Sequence, residues 1–476
     1  MMKNIIYLML STLILVFVSS CQDVVDGINE NPNDILIDDV ENKLFLTGGM
    51  LANVQVQCGH LNRISGMYSG QLIGFSSLYS NIYGYNISTV ESNDEWDALY
   101  VGVLTNMRHI ATNSTNPQLV GIAKVVEAHA VGTSASLYGD IPYSEATNPE
   151  ISDPIFEDQV GVFDDVIALL DEAINTLSGA GSAGLKQDIY FNGDTSKWIA
   201  TAYTLKARFL LQKKDYNGAL SAAQKGISSS AGDMRYYPRG DVNFAEGDKN
   251  LFWTILEGSR AGDIGNSVDG TQSYLLDLLD ANTASSRNHA KTNEAARLAY
   301  YRINSSGGSV NKGIIEQFEP QNMVTYFENQ LIIAEAHARA GNTTQALTAL
   351  NQVRTWLNNG GQLNANFSGE TYLYAPFIAA DFENGGIENQ DNISAQKALL
   401  REIIEERYVS GFGMHLPFND ARRLRKADSD ISVPFVMKNN SSTQRAERLP
   451  YAYDELNSNE NAPEDPGIFQ KTPVNQ

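Results

Sequence analysis

Three tyrosines, Tyr79, Tyr83 and Tyr85, stand beside Asn81 and Asn86 in the stretch GFSSLYSNIYGYNIS. A sugar ring presents CH faces that pack on aromatic rings, while its hydroxyls require polar partners. Tyr79, Asn81, Tyr83 and Tyr85 therefore read as a candidate carbohydrate platform, with packing of the same rings onto neighbouring helices as the structural alternative. Trp253 and Arg260, in NLFWTILEGSRAGD, form a second candidate pair. There Leu251, Trp253 and Ile255 alternate as in a half-buried strand, which favours a core position for Trp253. Trp96 shares a helical stripe with Leu99 and Tyr100 and is expected in a core.

Chemistry beyond binding leaves little trace. The sequence holds no HExxH pair, nucleophile elbow, phosphate-cradling glycine loop, or histidine and cysteine cluster spaced for a metal. Glu127 with His129, and Glu335 with His337, are too close in sequence to share a helix face. No cofactor and no metal ligand set is expected, and the chain reads as a binding protein, not an enzyme. A glycoside hydrolase needs only two suitably spaced carboxylates, which 56 acidic residues could supply without a motif. A surface glycosidase is thus the alternative of another class, and an assembly scaffold without a small ligand is a third.

Helical hairpins would have to hold these residues. From Ser196 to Ser228, Trp198, Ala202, Leu205, Phe209 and Leu210/Leu211 recur at helical spacing. Lys213, Lys214 and Asp215 break the stripe, and Ala219, Leu220, Ala223 and Ile227 resume it. Ala207 and Ala219 leave room for two backbones to approach closely, as in a tetratricopeptide hairpin, and Ala334 and Ala346 repeat that pair at one common offset. A further hairpin joins Leu119 to Tyr138 with a helix whose Phe163, Val166, Ile167, Leu170, Ile174 and Leu177 share one face, across a long loop from Gly139 to Val160. Thr89 to Thr112 reads as a helix with Asp94 and Glu95 at its dipole-positive end. Gln396 to Tyr408 reads as another, with Arg401 one turn from Glu405, and no strong periodicity follows Pro434. The fold class is mostly α: hairpins at about 119–177, 196–229 and 322–357, with loop-rich insertions at about 231–320 and 358–392 building a second face where recognition is expected.

The chain opens with MMKNIIYLMLSTLILVFVSSC, one Lys3 before an apolar run from Ile5 to Val18. That run is too short to span a membrane core of about 20 residues, so residues 1–20 read as a secretory signal. Val18-Ser19-Ser20-Cys21 resembles a bacterial lipoprotein cleavage box, although Val18 and Ser20 depart from its usual residues, and a plain signal-peptidase site is the alternative. With Cys21 lipidated, Cys58 has no partner and no disulfide framework exists. Residues 21–40 read as a polar, acidic tether, and 41–476 as a single body. A formal net charge of −22 argues against nucleic acid and anionic lipid as partners.

Four local motifs give the chain a resemblance to the SusD/RagB family of nutrient-binding outer-membrane lipoproteins of the Bacteroidota. YGDIPYSEA, Tyr138 to Ala146, resembles the family's loop after a long helix; Lys197, Trp198, Lys206, Ala207, Arg208, Asp215, Tyr216 and Ala219 resemble its KW…LkAR…DY…A segment. Glu406, Arg407, Asp420 and Arg422 or Arg423 match its ER…D…R block, and RLPYAYDELNSNENAP, from Arg448, its closing segment. Ser410 and Gly411 stand where the family usually has acidic residues, and TASSRNHA around Arg287 only faintly matches a DPR motif. The resemblance implies a lipid-anchored, cell-surface-facing outer-membrane protein with a tetratricopeptide-like array. Such a protein docks on a SusC/RagA-like TonB-dependent barrel transporter and delivers oligosaccharide to it, with an oligopeptide ligand of the RagB type as the alternative. Two structural expectations accompany it: Pro142 and Asp140 order the loop after Tyr138, and Arg407 with Asp420 forms a buried ion pair.

Overall fold

The computed structural model describes residues 40–244, 247–426, 428–431, 433 and 442–476. The signal, Cys21 and the tether up to residue 39 lie outside the described residues. The rest is mostly helical, with strands only as short two-stranded antiparallel pairs.

Each expected hairpin forms. Pro117–Tyr138 packs against Gln159–Ser178, Thr195–Gln212 against Tyr216–Ala223, and Tyr326–Arg339 against Thr343–Asn358. Side chains set their starts. Asn116 accepts from the amides of Gln118 and Leu119 ahead of Pro117, Asp158 from Val160 and Gly161, and Asp194 from Ser196 and Lys197. Lys214 adopts a left-handed φ of 64° and Asp215 then caps the next helix, which explains why Lys213 to Asp215 interrupts the apolar stripe. Ala207, Ala219, Ala334 and Ala346 are all fully buried, and Ile332 of the third hairpin packs with Ala207, Leu211 and Ala219 of the second. The third unit therefore stacks on the small residues of the second.

Glu95 departs from expectation. Within the expected 89–112 helix, Ala98–Leu104 is a π-helical segment between the α-helices Asn93–Asp97 and Thr105–Asn113. Trp96, Leu99, Val103, Leu104 and Met107 are buried, as the stripe implies. Glu95 is buried too, and its Oε1 accepts from His60 N at 2.6 Å and Gln55 Nε2 at 3.0 Å, so it caps the neighbouring His60–Tyr68 helix and not its own. Leu251–Glu257 is a helix, not a strand: Asn250 accepts from the Phe252 and Trp253 amides, and a side-chain cap outweighs three alternating apolar residues. Arg401 pairs with Asp391 at 2.7 Å, where sequence spacing pointed to Glu405.

Asp140 Oδ1 accepts from Gln159 N at 2.9 Å, and Ile141–Pro142 pairs with Phe156–Glu157, so the long loop is pinned at both ends. The Arg407–Asp420 pair also forms, at 2.6 Å, inside a larger buried set. Glu335 receives Arg423 at 2.8 Å as well as Arg407, tying the third hairpin to the helices Ala395–Ser410 and Leu416–Leu424. On the other side of Ala395–Ser410, Glu406 meets Arg297 at 2.7 Å and Arg287 at 2.8 Å, both from the first insertion.

Burial raises the Glu406 carboxyl, but Arg297 and Arg287 outweigh it and bring it from 4.5 to about 2. Its contribution to stability is present above about pH 4.5 and is lost as pH falls through about 2. Glu406→Gln, which leaves two buried guanidiniums short of charge, is expected to cost about 3–5 kcal/mol at neutral pH. Denaturant unfolding should show that difference shrinking between pH 5 and pH 2.

Candidate functional site

Strand pairing brings the two sequence-predicted stretches together. Ile73–Gly74 runs antiparallel to Ile264–Gly265, and Ser76 Oγ donates to Asp263 Oδ1 at 2.6 Å. Gly74 is required there, because a Cβ would collide with the Tyr79 carbonyl. The tyrosines turn inward. Ser77–Tyr83 is a short helix with Tyr79 and Tyr83 on its buried side, 1% and 5% exposed. Tyr79 OH accepts from Arg63 Nε at 2.8 Å and shares a hydrogen bond with His60 Nδ1 at 3.1 Å. Tyr85, at φ 66°, places its ring 5.2 Å from Tyr68 and 5.3 Å from Phe469. Asn81 and Asn86 stay exposed. Trp253 is 5% exposed, and Arg260 is half-buried, 3.6 Å from Asp263. The expected open tyrosine platform is therefore corrected: the spacing of Tyr79 and Tyr83 belongs to the inward side of a helix, and of the candidate residues Asn81, Tyr85 and Arg260 reach the surface of this face, with Asn86 beside them.

Open aromatic surface lies elsewhere. Met234–Tyr236 pairs with Gln321–Val324, setting Arg235 opposite Asn322. Beside this ribbon is a cleft of about 140 Å³, lined among others by Asp233, Arg235, Tyr237, Asn322, Trp356 and Gln362. Tyr237 is 48% exposed. Trp356 backs onto Phe327, the rings 5.7 Å apart and 22° from parallel. Asn322 Nδ2 donates to Gln362 Oε1 at 2.8 Å, and Asp233 Oδ1 accepts from Tyr326 N at 2.6 Å. Arg235 Nε is buried and has no partner among the described residues. Gly360 and Gly361, at φ 100° and 57°, turn the chain after Trp356 so that Gln362 returns beside it. The Gly-Gly pair four residues beyond a Trp at a helix end is the sequence signal for this cleft, masked because Trp356 also fits the apolar stripe of its helix.

The carboxylate and histidine pairs are structural. Glu127 pairs with Arg108 at 3.0 Å, and His129 is buried with Nδ1 3.1 Å from Asn53 Nδ2. Among the described residues no group of three His, Cys, Asp or Glu is placed to hold a metal ion, and no helix is long and apolar enough to cross a membrane.

Residues 36–237 match a SusD-like family model described as "starch-binding associating with outer membrane". Over that segment the chain is similar to the SusD-like family. Its fold matches solved structures over nearly their whole length. A SusD/RagB family protein from Bacteroides thetaiotaomicron is 21% identical, with 89% of this chain and 95% of that chain covered at a TM-score of 0.63. A SusD-like protein from the same organism is 18% identical, with 88% and 93% covered at 0.64. A chitin-binding SusD homolog from Flavobacterium johnsoniae is 15% identical, with 90% and 98% covered at 0.64. No curated protein matches the chain by sequence. In this chain the Trp198 and Arg208 segment is core: Trp198 Nε1 donates to Asp188 at 2.7 Å, and Arg208 Nη2 donates to Glu328 at 2.7 Å.

Burial pushes the Asp233 carboxyl up from 3.8 to about 7, against the opposing pull of the Tyr326 amide and Arg235. Its stabilising contribution is full below about pH 4 and is lost as pH rises through about 7. Asp233→Asn should therefore gain stability relative to wild type between pH 4 and pH 8, read as a rising difference in Tm.

Proposed function

We propose that this chain is a lipoprotein held at the outer membrane through Cys21, which binds oligosaccharide without turning it over and passes it to a TonB-dependent barrel transporter. On this reading residues 1–20 are removed, 21–40 tether the protein, and 41–476 form one binding body. The family description, which joins starch binding to the outer membrane, and the chitin-binding homolog support a glycan ligand over a peptide.

The observation that carries the ligand site is the cleft where Tyr237 and Trp356 face four polar side chains, Asp233, Arg235, Asn322 and Gln362. Rings supply surface for sugar CH groups, and the amides and charged groups supply partners for hydroxyls. The joined face bearing Asn81, Tyr85 and Arg260 is the second reading, favoured by the strand pairing that gathers two distant stretches.

A glycan array run beside a peptide pool tests the ligand class; binding confined to peptides overturns the glycan reading. On the glycan selected, Tyr237→Ala and Trp356→Ala should each weaken affinity about tenfold, from loss of roughly 1–1.5 kcal/mol of ring contact. Asn81→Ala with Arg260→Ala should leave it nearly unchanged; the opposite pattern moves the site to the joined face. Released reducing ends would identify a hydrolase instead.

A further inference from the structure

The chain carries more acid than base, yet one of its interior cavities is lined by a single charged side chain, and that one is cationic. Arg63, on the His60–Tyr68 helix, is 6% exposed. It lines a cavity of about 40 Å³ with Asn62, Asn250, Phe252, Tyr300 and Asn322, and among the described residues no Asp or Glu borders that space. Among the described residues it has no salt-bridge partner within 4.0 Å. Arg407, Arg423 and Arg297, equally buried, each meet carboxylates. The acid whose field Arg63 feels, Glu95, is already held by the His60 amide and Gln55. Cys58 also borders the cavity, and burial pushes its thiol up to about 12, so it brings no negative charge.

An unneutralised buried charge costs several kcal/mol unless something compensates it. Arg63 Nε is committed to Tyr79 OH, which orients the guanidinium, and neither terminal nitrogen donates to an acceptor among the described residues. That leaves the two-pronged end that matches the two oxygens of a carboxylate. Asn62 Nδ2 is buried without a partner among the described residues, and Asn62 borders the same space, adding a third donor. At about 10–15 Å³ per water, the cavity holds about three, the heavy-atom count of a carboxylate group. Phe252 and Tyr300 supply the apolar wall for its carbon, and exposed Gly413 with half-buried Asn322 stands on the outer side.

We propose that this cavity, formed around Arg63 and Asn62, binds the carboxylate group of a small organic acid. The proposal does not depend on the glycan cleft, although Asn322 borders both. Titration calorimetry and thermal denaturation of the purified protein with acetate, at constant ionic strength, provide the test. Acetamide serves as the uncharged isostere and chloride as the competing anion. Acetate should bind and raise Tm in a concentration-dependent manner, while acetamide and chloride should not. Arg63→Gln should weaken acetate at least tenfold. Should that variant fail to fold, Asn62→Asp decides: a carboxylate built into the wall should raise the ligand-free Tm and abolish the acetate response. Absence of an acetate response in the wild type, an equal response to chloride or acetamide, or unchanged acetate affinity in Asn62→Asp overturns the proposal.

Discussion

Charges placed beyond the reach of water must meet their opposites, and this constraint fixes the architecture around the helix Ala395–Ser410. Arg407 on one side of it reaches Asp420 and Glu335, while Glu402 and Glu406 on another receive Arg287, and Glu406 also receives Arg297. The hairpin array and the loop-rich insertion therefore share one scaffold, because each pairs with a different face of the same helix. Apolar packing could tolerate a shift of an ångström or two between them. Guanidinium forks at 2.6–2.8 Å from buried carboxylates do not.

The hairpins were the most legible part of the sequence. Apolar periodicity, caps at Asn116, Asp158, Asp194 and Asp215, and the small residues at Ala207, Ala219, Ala334 and Ala346 all point to the same helix pairs. Local signals misled where a distant group decided the outcome. Glu95 looked like a dipole partner for its own helix, yet the amide it satisfies belongs to His60, brought alongside by tertiary packing. The strand reading of Leu251 to Ile255 failed for the opposite reason, since a local cap at Asn250 was stronger than a three-residue alternation.

Binding surface was harder to read, because an aromatic residue in a loop and one in a short buried helix have the same sequence appearance. Tyr79 and Tyr83 became core once Ser77–Tyr83 closed into a helix. Trp356 was hidden in the reverse direction: it obeys the stripe of Thr343–Asn358 but sits at the helix end, where the stripe runs out onto the surface. Tyr237 follows a strand too short to announce itself. The cleft depends on a ribbon between residues 234–236 and 321–324, and no single-segment pattern reports that pairing.

The position of Ala395–Ser410 in the chain has its own consequence. Its partners Glu335 and Arg287 are made well before it, with Arg407 following Glu335 by 72 residues and Glu402 following Arg287 by 115. Until the last fifth of the polypeptide arrives, Glu335 has Arg339 and Arg287 has Glu294 within ion-pair reach, and their remaining partners among the described residues come only with the 395–424 segment. Ion pairs that join residues so far apart in sequence make closing this scaffold a slow step of folding, since the loops between them must be ordered before the charges meet.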